Sequence, residues 1–171
     1  IKNFFYDIKL LKAKQLPCSV ISVGNITSGG TGKTPTVLYL CKILQQGGRK
    51  NIGIISRGYG RGTKGMFLVS KGDGPLASWE SSGDEPFMMA KKTRNIPIVV
   101  DSDRYRGGEF LHRHFNTEII ILDDGFQHRS LYRNLNIVLI NGDSSPSDYQ
   151  FLPFGFLREP FSSLKRASLI I

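Results

Sequence analysis

The sequence is short of cysteine and of long apolar runs. Its two cysteines, Cys18 and Cys41, show neither CxxC spacing nor the density of a disulfide scaffold, which fits a reducing, cytosolic compartment. No stretch approaches the ~20 apolar residues that span a bilayer, and no secretory signal pattern opens the chain. We therefore expect neither a membrane-spanning protein nor a disulfide-linked secreted one.

Acidic residues are also scarce, with 14 Asp and Glu against 23 Lys and Arg, so the formal net charge is +9. Such an excess predicts attraction to anions, which include nucleic acids, anionic membranes and phosphorylated substrates. Aromatic and basic residues are not interleaved as they are in RNA- or DNA-binding motifs, and we expect no nucleic-acid partner. The 171 residues, of which 40% are hydrophobic, suffice to bury one sizeable core.

Residues 1–18 form a basic segment with an amphipathic pattern. Its apolar residues recur at near-helical spacing beside lysines: Phe4, Phe5, Ile8 and Leu11, with Lys2, Lys9, Lys12 and Lys14. The pattern fits either a helix lying at a membrane interface or an ordinary surface helix packed on its own domain. The sequence leaves both interpretations open.

The remainder, residues 19–171, is predicted to form one α/β lobe in which short apolar strands alternate with helices. The predicted strands are residues 19–23, 52–56, 66–69, 96–100, 118–122 and 136–140, and residues 169–171 begin another. The predicted helices are residues 34–46, 85–93 and 104–114. This alternation predicts a mostly parallel sheet with helices on both faces, which binds ligands beyond the carboxyl ends of its strands.

A glycine-rich turn between the first predicted strand and helix is the strongest functional signal. It consists of Gly29-Gly30-Thr31-Gly32-Lys33-Thr34, as in a phosphate-binding loop. The glycines let backbone N–H groups converge on phosphate oxygens, and the start of the helix adds partial positive charge. Lys33 is expected to reach the β- and γ-phosphates of ATP, and Thr34 to ligate Mg²⁺. Thr27 replaces the first glycine of the general pattern, so the loop is a variant.

Two carboxylates, Asp123 and Asp124, follow the apolar strand at residues 118–122. By itself, such a pair is more often a turn or a helix cap. After a phosphate-binding loop, however, the arrangement favours a Mg²⁺ site opposite that loop. A second glycine motif, residues 60–65, matches the dinucleotide fingerprint GxGxxG but is followed by a predicted strand instead of the required helix. We interpret residues 57–65 as a flexible basic loop near the ligand-binding edge.

With these motifs in place, the chain resembles the tetraacyldisaccharide 4′-kinase family of lipid A biosynthesis over nearly its whole length. The further motifs that carry the resemblance are Val23-Gly24-Asn25, Ser56-Arg57-Gly58-Tyr59-Gly60, Gly83-Asp84-Glu85-Pro86, Asp103-Arg104, Asp123-Asp124-Gly125-Phe126-Gln127-His128, and Leu152-Pro153 through Gly155 to Leu157-Arg158-Glu159. The resemblance implies a P-loop kinase that uses ATP and Mg²⁺ to phosphorylate the 4′-hydroxyl of a tetraacyl glucosamine disaccharide 1-phosphate. It also implies peripheral association with the cytoplasmic face of the bacterial inner membrane, and a later α/β lobe that we do not find in these residues.

The resemblance also assigns roles to individual side chains. Asp84 becomes the general base, although its place before Pro86 makes a helix N-cap the alternative that the residues alone favour. Glu85 is a further candidate for the Mg²⁺ site. His128 follows the two aspartates closely and is expected to orient a carboxylate by hydrogen bonding.

Arginines and one tyrosine complete the predicted site. Arg57, Arg104 and Arg158 are candidates to bind the acceptor phosphate or to stabilise charge on the γ-phosphoryl group, because guanidinium presents paired donors to phosphate. For each arginine, an ordinary solvated surface position is the alternative. Tyr59 is expected to touch the nucleotide or the acceptor.

A nucleotide-dependent switch of the partition-ATPase or metallochaperone type is the alternative class. Partition-type proteins carry a signature lysine where this chain has Ser28, and the Cys or His ligands that a metallochaperone needs are not found.

Overall fold

The computed structural model describes residues 5, 6, 8, 10–143, 149–151 and 153–171. In these residues one seven-stranded sheet has the order β3-β4-β2-β5-β1-β6-β7, and every neighbouring pair is parallel except β3 and β4. The strands are β1 (Ser19–Asn25), β2 (Ile52–Ser56), β3 (Phe67–Ser70), β4 (Ile98–Val100), β5 (Ile119–Asp123), β6 (Leu135–Leu139) and β7 (Leu169–Ile170). The predicted mostly parallel sheet is therefore confirmed.

The helices cover both faces of this sheet. They are α1 (Lys33–Gln46), α2 (Trp79–Ser82), α3 (Asp84–Lys92) and α4 (Arg104–Phe115), and a 3-10 helix covers Phe161–Arg166. One hydrophobic cluster contains buried residues of α1 and α3, and a second, on the opposite face, contains Leu111 of α4. The predicted two-sided covering is thus confirmed.

Each central strand supplies side chains to both clusters in turn. In β5, Ile121 belongs to the first cluster, whereas Ile120 and Leu122 belong to the second, as the two-residue period of a strand requires. All three are fully buried, and each contributes roughly 1.5–3 kcal/mol through removal from water. Burial on both faces explains why the strand is continuously apolar up to Asp123.

The predicted elements differ from the observed ones mainly at their ends. β4 begins at Ile98, two residues later than predicted, directly after Pro97, which has no N–H to offer a neighbouring strand. The single-turn helix α2 was not predicted, because four residues are too few to show a helical period. Residues 57–65 form a loop that leads into β3, as expected.

The amphipathic interpretation of the first residues stays a prediction. Lys2, Phe4 and Lys9 lie outside the described residues, as does Leu152 of the last family motif. In the described ranges, no helix combines the length and the apolar character needed to cross a membrane. Lys14 pairs with Leu131 in an isolated parallel bridge, which fixes the end of this segment to the loop after β5.

Candidate active site

The candidate site begins where two neighbouring strands end. β1 and β5 are paired in parallel with Val23 opposite Asp123, so the glycine-rich turn and the turn that begins at Asp123-Asp124, here called the acidic turn, leave the same edge of the sheet. A close approach at Gly24 brings the two turns together, since a Cβ atom there would lie 2.6 Å from Phe126 Cβ and 2.9 Å from its backbone nitrogen. The sequence-based expectation that both turns share one edge is confirmed.

The glycine-rich turn presents an open backbone surface. Gly29 and Gly32 have φ angles of +103° and +79°, a region that side chains rarely enter, and no atom lies within 4 Å of an added Cβ at Gly29, Gly30 or Gly32. Helix α1 starts at Lys33 without a side-chain cap, so the first backbone N–H groups of the helix point at this open surface. Such an arrangement suits a phosphate group.

Buried Asn25 holds the turn in shape. Its Nδ2 atom donates a hydrogen bond to Thr31 Oγ1 at 2.9 Å, and its side chain is completely removed from solvent. Lys33 Nζ donates to the Gly29 carbonyl oxygen at 3.4 Å and lies 3.9 Å from Asp124 Oδ1. Lys33 therefore lies across the turn and faces the acidic turn, while Thr34 behind it is 7% exposed.

Asp123 is a buried carboxylate with one oxygen unpaired. Its Oδ2 atom accepts a hydrogen bond from Ser56 Oγ at 3.0 Å, while Oδ1 has no hydrogen-bond partner among the described residues. The pKa of Asp123 is raised to about 6, first by burial and then by the negative charges of Glu85 and Asp124, against the lowering effects of Ser56 and Lys33. An unpaired buried carboxylate oxygen is costly by itself and is satisfied by a cation.

The donor set around Asp123 fits a magnesium ion bound together with a phosphate. In the described part of the chain, no group of three or more His, Cys, Asp or Glu side chains is placed to hold a metal ion. Mg²⁺ needs no such cage, because it takes one or two carboxylates and completes its shell with phosphate oxygens and water. Thr34 and Asp123, with Asp124 and Glu85 nearby, offer the oxygen ligands that this mode requires.

Asp124 is held differently, by an arginine. Arg158 donates from Nη1 to both carboxylate oxygens, at 3.1 and 3.2 Å, and from Nη2 to Oδ2 at 3.2 Å. Asp124 also has a φ of +51°, which costs on the order of 1 kcal/mol for a residue with a side chain. Backbone strain combined with a forked ion pair fixes the carboxylate at a position 3.9 Å from Lys33 Nζ.

A cavity of about 530 Å³ lies between these groups. Its lining residues come from the glycine-rich turn, the acidic turn, the end of β2 and the loop after it, the first turn of α3 and the segment before the 3-10 helix: Ser28, Gly29, Lys33, Ser56, Arg57, Tyr59, Asp84, Glu85, Pro86, Asp124 and Arg158. Six of the residues predicted from the family motifs, Arg57, Tyr59, Asp84, Glu85, Asp124 and Arg158, therefore meet Lys33 in one space.

Asp84 is not the N-cap of its helix. The N-cap of α3 is Gly83, with a φ of +92°, and no side chain makes a capping bond there. Asp84 occupies the first helical position, is solvent-exposed, and lines the cavity that Lys33 and Asp124 share. The N-cap interpretation is therefore wrong, because the left-handed backbone that starts this helix needs glycine, and the carboxylate is left to the cavity.

Arg104 and His128 lie outside the cavity, and the predicted residues Gly30, Thr31, Gly32, Thr34 and Asp123 are not among its lining residues either. Arg104 is 4% exposed, and its Nη1 atom donates to the carbonyl oxygens of Asp101 and Ser102, each at 3.1 Å. Burial and the nearby Arg57 lower the pKa of Arg104 to about 10, although the two aspartates of the acidic turn oppose this shift. His128 lines a separate hollow, where its Nε2 atom is 2.8 Å from Ser130 Oγ. The predicted roles of both residues stay predictions.

The fold and the open glycine-rich turn define a class: an α/β protein with the architecture of the P-loop NTPases. Comparison with known proteins narrows this class to one family. The family model for tetraacyldisaccharide-1-P 4′-kinase, LpxK, matches residues 1–171, and the chain belongs to this family.

Individual relatives agree with the family model. The chain is 44% identical over 170 residues to a tetraacyldisaccharide 4′-kinase of Aquifex aeolicus, covering 99% of this chain and 52% of the relative. It is 44% identical to a protein of the same name from Halothermothrix orenii, covering 100% of this chain and 44% of the relative. A crystal structure of the "apo" form of Aquifex aeolicus LpxK in complex with ATP superposes with a TM-score of 0.91 over 99% of this chain. The chain thus spans about half the length of the curated relatives it matches.

Proposed function

We propose that this chain is the nucleotide-binding part of an ATP-dependent lipid kinase. The enzyme transfers the γ-phosphoryl group of ATP to the 4′-hydroxyl of a tetraacyl glucosamine disaccharide 1-phosphate. The observation that carries this proposal is the convergence of Lys33, Asp124 and Asp84 on one cavity beside the open glycine-rich turn. Family membership and the structural similarity to an LpxK crystallised with ATP support the choice of donor and acceptor.

On the donor side, backbone N–H groups of the turn and the first turn of α1 bind the phosphates of ATP, and Lys33 neutralises the β- and γ-phosphates. Thr34 and Asp123 would hold Mg²⁺, and Asp124 and Glu85 would be further candidates to ligate it. When bound, Mg²⁺ neutralises charge on the phosphates and helps to align them. These residues hold the γ-phosphoryl group in position, facing the cavity.

On the acceptor side, Asp84 accepts the proton of the 4′-hydroxyl as its oxygen attacks the γ-phosphorus, and ADP leaves as the bond between the γ-phosphorus and the bridging oxygen breaks. Its exposure on the cavity wall supports this role, because a general base has to reach its substrate. Arg57 and Arg158 line the same space and supply positive charge for the transferring group, and Tyr59 supplies an exposed aromatic surface. Arg104 is buried beside the aspartates, and its positive charge stabilises their negative charges without direct contact with the substrate. His128 orients the acidic turn.

We also propose that the protein works as a peripheral protein at the cytoplasmic face of the bacterial inner membrane. Ile8 and Leu10 are 52% and 68% exposed, in a segment whose sequence also contains Lys2 and Lys9. Exposed apolar residues beside lysines suit binding to an anionic lipid surface.

The test is a transfer assay with the complete protein, ATP labelled at the γ-phosphate, and the lipid disaccharide 1-phosphate. We expect label to appear in the lipid and to be lost in Lys33→Ala and in Asp84→Asn. Label released only as free phosphate, at a rate that the lipid does not change, would instead indicate a nucleotide-dependent switch.

A further inference from the structure

A second hollow, of about 380 Å³, lies beside the segments that follow β4 and β5. Its lining residues come from the first residues of the chain, the start of α4 and the loop after β5: Tyr6, Lys12, Lys14, Ser102, Asp103, Tyr105, His128 and Ser130. Ser102 and Asp103 follow β4, and His128 follows the acidic turn by four residues, a reach of at most about 14 Å along the chain. The hollow therefore adjoins the acidic turn.

The charges of this hollow favour an anion. Lys12 and Lys14 are solvent-exposed, and Lys14 Nζ lies 4.9 Å from the centre of the Tyr105 ring. Asp103 is the one carboxylate of the lining, and its Oδ1 atom accepts hydrogen bonds from the backbone N–H groups of Tyr105 and Arg106 at 3.1 and 3.3 Å. Because that carboxylate caps α4, the lysine charges dominate the open side of the hollow.

Lys14 is fixed to the body of the domain. Its backbone N–H donates to the Ser130 carbonyl oxygen at 2.8 Å, and its own carbonyl oxygen accepts from the Tyr132 N–H at 2.8 Å. Ser130 Oγ in turn is 2.8 Å from His128 Nε2. The lysine thus stands on a braced segment beside a hydroxyl and an imidazole, groups that donate hydrogen bonds to phosphate.

The arginines near the candidate active site are engaged by other groups, so none of them is available to bind a phosphate on the acceptor. The proposed acceptor carries a phosphate at the end opposite its reacting hydroxyl, and that phosphate needs cations of its own. Arg158 is engaged by Asp124, and Arg104 is buried with Nη1 on two carbonyl oxygens. Arg57, which lines the cavity, is left to the transferring group.

We propose that the hollow with Lys12 and Lys14 binds the phosphate monoester that the acceptor already carries. The inference rests on the proposed function and names a subsite of the acceptor. A sugar phosphate has a charge of about −1.5 to −2 at neutral pH and three acceptor oxygens, which the two lysines and neighbouring hydroxyls match. Anionic membrane headgroups offer the same chemistry, so the test separates the two sources.

The test compares two acceptors and two charge-matched variants of the complete protein, in neutral detergent micelles. One variant is Lys12→Gln with Lys14→Gln. The control is Lys42→Gln with Lys92→Gln, since those lysines line another hollow, between α1 and α3. We expect the first variant to raise the KM for the 1-phosphorylated acceptor about tenfold, with kcat and the KM for ATP unchanged. For an acceptor with a hydroxyl in place of the 1-phosphate, its KM should equal that of the wild type, and the control should follow the wild type throughout.

Other results overturn the proposal. An equal change of KM for both acceptors, or no change, removes the phosphate subsite while leaving the kinase assignment intact. A defect that appears only when the acceptor is presented in phosphatidylglycerol vesicles assigns the lysines to the membrane surface. If the wild type transfers label to neither acceptor, the proposed function fails, and this subsite fails with it.

Discussion

The two walls of the candidate active site are built in different ways. The glycine-rich wall is made of backbone, with left-handed glycines at Gly29 and Gly32 and an uncapped helix start. The acidic wall is made of side chains, with Asp123 buried against Ser56 and Asp124 held by Arg158. The glycine-rich wall therefore offers open N–H groups to an anion, whereas the acidic wall holds a buried carboxylate oxygen that has no hydrogen-bond partner among the described residues and suits a cation.

The largest expected effect is on the rate of phosphoryl transfer in the cavity between the two walls. Asp84→Asn keeps the size of the side chain but removes the base, so kcat for transfer to the lipid should fall by about 10²–10⁴. Because Asp84 is exposed and makes no capping bond, the free energy of unfolding should hardly change. Radiolabel transfer and urea unfolding measure the two quantities. Asp73→Asn, on an exposed turn after β3, is the matched control, and an equal loss of kcat in it would contradict the role of Asp84.

The next effect is on the contact that joins the walls. Gly24→Ala places a Cβ atom against Phe126, including its backbone nitrogen at 2.9 Å, where no flexible side chain can move away. We expect a loss of about 2–3 kcal/mol in the free energy of unfolding. Gly142→Ala, where no atom lies within 4 Å of the added Cβ, should change that free energy by less than about 0.5 kcal/mol. Equal denaturation midpoints for the two variants would show that the walls do not meet as described.

A third effect, on the free energy of unfolding, comes from the buried negative charge of Asp123. The pKa of Asp123 is raised to about 6 in the folded state, so the contribution of this carboxyl group to the stability of the metal-free protein should decrease as the pH rises from about 4 through 6. Asp123→Asn removes the charge, and in EDTA at pH 7.5 it should increase the free energy of unfolding by about 3 kcal/mol. At pH 4, where the carboxyl group is protonated, the gain should vanish. Thermal unfolding of the wild type and the variant at the two pH values measures this difference in stability. A variant less stable than the wild type at pH 7.5 would contradict the conclusion that the buried charge of Asp123 destabilises the metal-free protein.

The smallest effect is expected at the ion pair of the acidic wall. Arg158→Lys loses the forked geometry but keeps the charge, and both partners of the pair are partly exposed. The free energy of unfolding should therefore fall by less than about 1 kcal/mol. Guanidinium chloride unfolding measures the change, and a loss well above this value would mean that the acidic turn depends on the arginine for its fold.

The glycine-rich wall was predictable because its backbone requirements appear directly as residue types. Glycines, the lysine and the threonine lie consecutively between a strand and a helix, so local pattern suffices. The central strands were predictable for a similar reason, since burial on both faces demands a continuous apolar run.

The acidic wall was predictable only in its residue types. The bond from Ser56 to Asp123 depends on β2 pairing with β5, and the pair of Asp124 with Arg158 spans 34 positions. Neither strand order nor such long-range pairing follows from local sequence. Asn25 and Ser56 were missed as functional residues, although each ends a strand at the ligand-binding edge, and that position was the available signal.

The central claim is that the two walls enclose one magnesium nucleotide. Calorimetric binding of a non-hydrolysable ATP analogue, with and without Mg²⁺, tests it most directly in the wild type, Lys33→Ala and Asp123→Asn. We predict that Mg²⁺ tightens binding by about tenfold or more in the wild type, that Asp123→Asn abolishes this gain, and that Lys33→Ala weakens binding under both conditions. An undiminished Mg²⁺ effect in Asp123→Asn would contradict the claim.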